Sequence, residues 1–149
     1  MILLDTNVIS EPMRPNPDPK VLAWLDAQAA ESLYLATVSL AELLLGIERL
    51  PAGKRRKALA AALHEQIIAL FGKRIVPFDL DAAETYAQIV TRARRHGHPI
   101  AVADAQIAAI AASRQLTVAT RDEAPFQAAG VPAINPWTAS IEGRWGGAD

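Results

Sequence analysis

The run Met1-Ile2-Leu3-Leu4-Asp5-Thr6-Asn7 decides the fold. Three consecutive apolar residues without polar alternation match a strand covered on both faces, as in parallel sheets. Asp5 follows at once, and in open parallel sheets functional groups collect beyond the carboxyl ends of strands. Taken alone, Asp5 suits a turn or a helix cap equally well.

Outward from this run the chain alternates strands and helices. Pro12, Pro15, Pro17 and Pro19 mark a loop between Glu11 and Lys20. Val21, Leu22 and Leu25 then predict a helix over 19–29, and residues 32–37 read as a second strand. Thr37 or Ser39 is the expected cap of a helix carrying Leu40, Leu43, Leu44 and Ile47 on one side, broken at Pro51-Ala52-Gly53. A long helix over 54–71 places Leu59, Leu63, Ile67 and Leu70 on one stripe. A third strand over 75–78 leads into a helix capped by Asp79 or Asp81 and running to Arg95. After the Gly97-His98-Pro99 turn come a helix over 100–113, a strand over 116–120, a short helix over 124–129 and a weak edge strand over 132–134. This alternation implies βαβ units and a mostly parallel sheet of four to five strands.

The chain has 149 residues, about the size of one domain with a sizeable core. We expect that domain over residues 1–138, with a loosely ordered tail over 139–149. The tail contains Ile141-Glu142-Gly143-Arg144, which matches a protease-tag sequence. No cysteine is present, which excludes disulfides, thiolate metal sites and a cysteine nucleophile. The net charge of −1 does not advertise nucleic-acid binding in bulk, although a local basic patch can act alone. Without a signal-peptide pattern or an apolar run of ~18 residues, the expectation is a soluble, cytoplasmic protein with no membrane segment.

Four acids stand out. Asp5 and Asp122 fall at the ends of strands, so both point toward one crevice. Glu42 and Asp104 lie inside otherwise apolar helical segments, Leu40-Ala41-Glu42-Leu43-Leu44 and Val102-Ala103-Asp104-Ala105. Burying an unpaired carboxylate is expensive, and a divalent cation would remove that cost. With carboxylates and no cysteine, the donor set suits Mg²⁺ or Mn²⁺. Each acid alone reads more readily as a turn, a cap or a solvated helix face; spacing supports Asp5 and Asp122 most directly.

Two basic runs are candidates for holding nucleic acid: Lys54-Arg55-Arg56-Lys57, better read as a solvated helix face, and Arg92, Arg94 and Arg95 with His96 and His98. Trp24 reads as core and Trp137 as a packing residue near the last strand.

These pieces together resemble the PIN-domain family, and within it the VapC-type toxins of type II toxin–antitoxin modules, FitB-like branch. The resemblance is carried by Met1 to Glu11, by Ala41-Glu42-Leu43 with Gly46, and by Ala103-Asp104 with Ile107-Ala108-Ala109. It continues through Val118-Ala119-Thr120-Arg121-Asp122 with Phe126 to Asn135-Pro136-Trp137. It implies a three-layer α/β/α sandwich and a Mg²⁺- or Mn²⁺-dependent endoribonuclease. It places the catalytic and metal-binding acids at Asp5, Glu42, Asp104 and Asp122, with Thr6, Asn7 and Thr120 in support. Many relatives have an Asn at the fourth acidic position and an Asp slightly later; here Asp122 takes the first slot and Pro125 the later one, so ligation from this strand rests on Asp122. The implied partners are RNA, a small DNA-binding antitoxin and a second copy of the chain.

Two other readings compete. A phosphatase of the haloacid-dehalogenase type needs a second acid two residues after Asp5, where this chain has Asn7. A catalytically silent subunit of a DNA-binding repressor complex would use the same surfaces without cleaving RNA.

Overall fold

The computed structural model describes residues 1–140. The expectations for the tail beyond Ser140, including Ile141 to Arg144, lie outside the described residues.

Five strands form the sheet: β1 (Ile2–Leu4), β2 (Leu33–Ala36), β3 (Ile75–Val76), β4 (Thr117–Ala119) and β5 (Ala133–Ile134). Their order is β3-β2-β1-β4-β5, and every pairing is parallel. The chain builds outward from β1 to β3 on one side, then returns to lay β4 on the other. The order therefore reverses between β1 and β4, and a crevice opens beyond their carboxyl ends.

Among the described residues, eight α-helices cover the two faces: α1 (Thr6–Ser10), α2 (Pro19–Asp26), α3 (Thr37–Glu48), α4 (Lys54–Ala62), α5 (Ala69–Phe71), α6 (Leu80–Arg95), α7 (Val102–Arg114) and α8 (Ala124–Ala128). Short 3₁₀ turns occupy Glu11–Met13, Ala30–Ser32 and Gly72–Arg74. On one face Leu3 and Val118 meet Ile89 of α6, Ile107 and Ile110 of α7, and Phe126 of α8. On the other Leu4 and Leu35 meet Val8, Trp24, Leu43, Leu63 and Phe71. Leu3 and Leu4 are both fully buried, which explains their lack of alternation. Each such side chain contributes about 1.5–3 kcal/mol relative to exposure. No helix of the described residues is long and apolar enough to cross a membrane.

The structure decides one open reading and corrects three local expectations. Asp5 is a helix cap: it accepts from the Thr6 N–H at the start of a helix over 6–10. Part of the proline-rich stretch is a 3₁₀ turn, and Glu11, only 4% exposed, holds it by accepting from the Asp18 N–H at 3.0 Å and from Arg14. Neither Thr37 nor Ser39 caps α3; Ala36 occupies that position, since β2 runs straight into the helix and leaves no turn for a side-chain cap.

The third correction concerns the long helix. Between α4 and α5 the backbone makes a π-helical turn over Leu63–Ile68. The wider turn rotates the residues beyond it, so Phe71 enters the core and Leu70 is 61% exposed. Phe71→Ala should cost about 3–5 kcal/mol in chemical denaturation, whereas Leu70→Ser should leave stability within about 0.5 kcal/mol. Equal costs would contradict this register.

Candidate active site

Local structure delivers each acid to the carboxyl edge of the sheet. Asp5 continues β1, its N–H donating to the Ala119 carbonyl at 2.9 Å. Glu42 lies in the second turn of α3, which starts where β2 stops. Asp104 is in the first turn of α7, and Asp122 follows β4 by three residues.

Asp5 is the anchored member and is 7% exposed. One carboxylate oxygen accepts from the Thr6 N–H at 2.8 Å, and the other accepts from the Thr120 hydroxyl at 2.8 Å. The second bond joins residues 115 positions apart and closes the gap between β1 and β4. Thr120 also accepts from the Asp122 N–H at 3.2 Å, so the residue holding Asp5 shapes the loop that carries Asp122. Asn7 Oδ1 accepts from the Arg121 N–H at 3.4 Å, tying α1 to the same loop. Thr120→Val keeps the shape but strips a donor from a buried carboxylate. It should destabilise the fold by about 1–3 kcal/mol in denaturant titration; no loss would mean that the bond does not help hold the edge.

The four acids share one electrostatic environment. Burial pushes the Asp5 carboxyl above the ordinary carboxylate range, its two hydrogen bonds oppose the rise, and Asp122 adds to it. Partial desolvation raises Glu42, reinforced by the charges of Asp5 and Asp104, although the residue itself is exposed. Desolvation raises Asp104, followed by the charges of Asp5 and Asp122. Like charges held together while part of their hydration is removed have this signature. The carboxylates of Asp104 and Asp122 accept no hydrogen bond from the described residues. The Thr6 hydroxyl is buried without a well-formed hydrogen bond, although it lies near enough to Glu42 to offset part of that residue's rise.

Asp104 and Asp122 line a crevice of about 470 Å³, with His98, Ala101 and Pro125 on its walls. Gly97, at φ +71°, ends α6 in a left-handed turn that brings His98 to this position. Neither spacing nor residue type marked His98 apart from its basic neighbours. Arg92 and Arg95 line a separate depression along α6, and Arg94 lines neither. Asn135 is a second residue without a prior role: its side chain donates to the Arg121 carbonyl at 3.1 Å and accepts from the Trp137 N–H at 2.9 Å. Only its place in the Asn135-Pro136-Trp137 run drew attention to it.

The donor chemistry fits a hard divalent cation. All four candidate ligands are carboxylates, two of them lack hydrogen-bond donors, and a buried hydroxyl beside them lacks a well-formed partner. Among the described residues, no three acids already stand at ligating distance of a single point.

A parallel α/β domain with clustered acids at its switch point defines the class. The PIN domain family matches residues 2–131, and the chain belongs to that family. It is 52% identical to the toxin FitB of Neisseria gonorrhoeae, over 92% of this chain and 99% of that protein. It is 48% identical to the VapC ribonuclease Y4jK of Sinorhizobium fredii, over 92% of this chain and 98% of the relative. The solved structure of FitAB bound to an IR36 DNA fragment superimposes with a TM-score of 0.92 at 48% identity, covering 96% of this chain and all of the matched one. The parallel sheet between helical layers thus agrees with the fold expected from β1 outward.

Proposed function

We propose that this chain is a Mg²⁺- or Mn²⁺-dependent endoribonuclease, the toxin of a type II toxin–antitoxin pair. The observation that carries the reading is the cluster of Asp5, Glu42, Asp104 and Asp122, mutually repelling, in which the carboxylates of Asp104 and Asp122 accept no hydrogen bond from the described residues. Relatives of nearly the same length named as a toxin and as a VapC ribonuclease support it.

In this reading Asp5 and Asp104 are the principal metal ligands, with Glu42 and Asp122 completing the shell or orienting water. A divalent ion bound there supplies an activated water and charge relief on the phosphate. Thr120 and the Thr6 N–H hold Asp5 in one orientation, which preorganises the cluster. Asn7 secures the loop carrying Asp122. Arg92, Arg94 and Arg95 are proposed to contact RNA flanking the crevice, through charge rather than base edges.

The proposed partners are a small DNA-binding antitoxin and a second copy of the chain; FitAB on DNA supplies the precedent. Leu44, Leu45 and Leu70, at 38%, 50% and 61% exposure, offer apolar surface for such docking. The test is cleavage of structured RNA by purified, antitoxin-free protein with and without Mg²⁺ or Mn²⁺. Metal-dependent cleavage is expected. Its absence with both ions would favour the silent-subunit alternative, and a trapped phospho-aspartate would revive phosphatase chemistry.

A further inference from the structure

Arg121 adjoins Asp122, and yet among the described residues its guanidinium pairs with no carboxylate. It lies over the Trp137 ring instead, 5.0 Å from the centroid. Its backbone is clamped from both sides, the N–H by Asn7 Oδ1 and the carbonyl by Asn135 Nδ2. Asn135 in turn accepts from the Trp137 N–H, so the platform and the loop it supports are one hydrogen-bonded unit. The side chain is exposed, and cation–π stacking uses a face of the guanidinium while leaving its edge donors available. A cation so placed would ordinarily fold onto the adjacent acids. Here it stacks on Trp137 instead, on the same loop that carries Asp122.

An RNA strand approaching four carboxylates meets repulsion, and a cation fixed beside them compensates it. We propose that Arg121, laid on Trp137, is a substrate-binding residue that grips a phosphodiester of the RNA next to the acid cluster, with Trp137 and Asn135 as its positioning residues. The planar fork of arginine suits two phosphate oxygens, and prior stacking reduces the freedom lost on binding. The inference rests on RNA being the substrate, but its test reads binding rather than cleavage.

The experiment measures fluorescence anisotropy of a labelled single-stranded RNA on full-length protein carrying Asp104→Asn, so that the probe survives, across a salt series. Arg121→Ala in this background should weaken binding on the order of tenfold. It should also reduce the slope of log affinity against log salt by about 0.7, the loss of one phosphate contact. Arg121→Lys should restore the salt slope but only part of the affinity, because lysine keeps the charge without the fork or the stack. Trp137→Leu should weaken binding while leaving the slope unchanged. Thermal melts accompany each variant; if Trp137→Leu fails to fold, the alanine and lysine variants alone decide the question.

An unchanged affinity and slope in Arg121→Ala would overturn the proposal, as would a loss of thermal stability with RNA binding intact. A defect confined to binding an acidic peptide or a protein partner would also overturn it, assigning the platform to that partner. If unsubstituted protein never cleaves RNA but binds it with an Arg121-dependent slope, the nuclease reading fails and this one stands.

Discussion

Asp104→Asn lowers Mg²⁺-dependent RNA cleavage by about 100-fold or more while the protein stays folded, and Asp5→Asn does the same. The substitution exchanges a charged oxygen for an amide of nearly the same shape. Asp104 accepts no hydrogen bond from the described residues, so its loss leaves no donor stranded. Asp5 differs, because both of its oxygens are engaged. An asparagine there can still accept from the Thr6 N–H and donate to the Thr120 hydroxyl, so the cap and the bridge to β4 survive. Activity and stability should therefore separate. Cleavage assays beside circular-dichroism melts check this. Full activity in a folded Asp104→Asn variant would remove that residue from the metal-binding role, and full activity in both would sink the proposed site.

Without divalent ions, Asp104→Asn is expected to be more stable than the unsubstituted protein at neutral pH. The carboxyls of Asp5, Glu42 and Asp104 are raised above their ordinary values in the folded state. A group whose folded pKa is raised contributes stability that is fully present below its unfolded value, near 4. That contribution disappears as pH rises through the folded value. The metal-free protein should therefore lose stability between mildly acidic and neutral pH, and the difference between it and Asp104→Asn isolates the share of one acid from other titrations. Divalent ions act in the opposite sense. At one hundred times the dissociation constant, binding contributes about 2.7 kcal/mol, or roughly 5–10 °C in melting temperature. Melts in EDTA and in Mg²⁺ at two pH values decide the matter. A variant less stable than its parent in EDTA at neutral pH would contradict electrostatic strain, and a parent indifferent to both Mg²⁺ and Mn²⁺ would contradict the metal assignment.

Much of the site was legible because its members sit at boundaries that local patterning marks. Asp5 and Asp122 come directly after apolar runs, and the end of such a run is visible in composition. Glu42 and Asp104 were conspicuous only as polar residues among apolar neighbours, a pattern that a solvated helix face shares. Their convergence depends on α3 and α7 both beginning at one edge of the sheet, and family resemblance joined them before geometry did. The roles of Thr120, Asn135 and His98 depend on partners far along the chain or on the direction of a turn. No periodicity carries that information.

The sequence by itself determined the period and polarity of each segment: unbroken apolar runs for strands buried on both faces, helical stripes between them, and acids at the strand ends. These features come from short-range geometry, since a strand repeats every two residues and a helix every 3.6. Tertiary structure alone decided which strand ends became neighbours, through the return of β4 to the far side of β1. That reversal brings Thr120 to Asp5 across 115 residues and draws four separate charges into one field. Packing also decided that Phe71 rather than Leu70 enters the core, because a single π-helical turn shifts the register beyond what an ideal helical period anticipates.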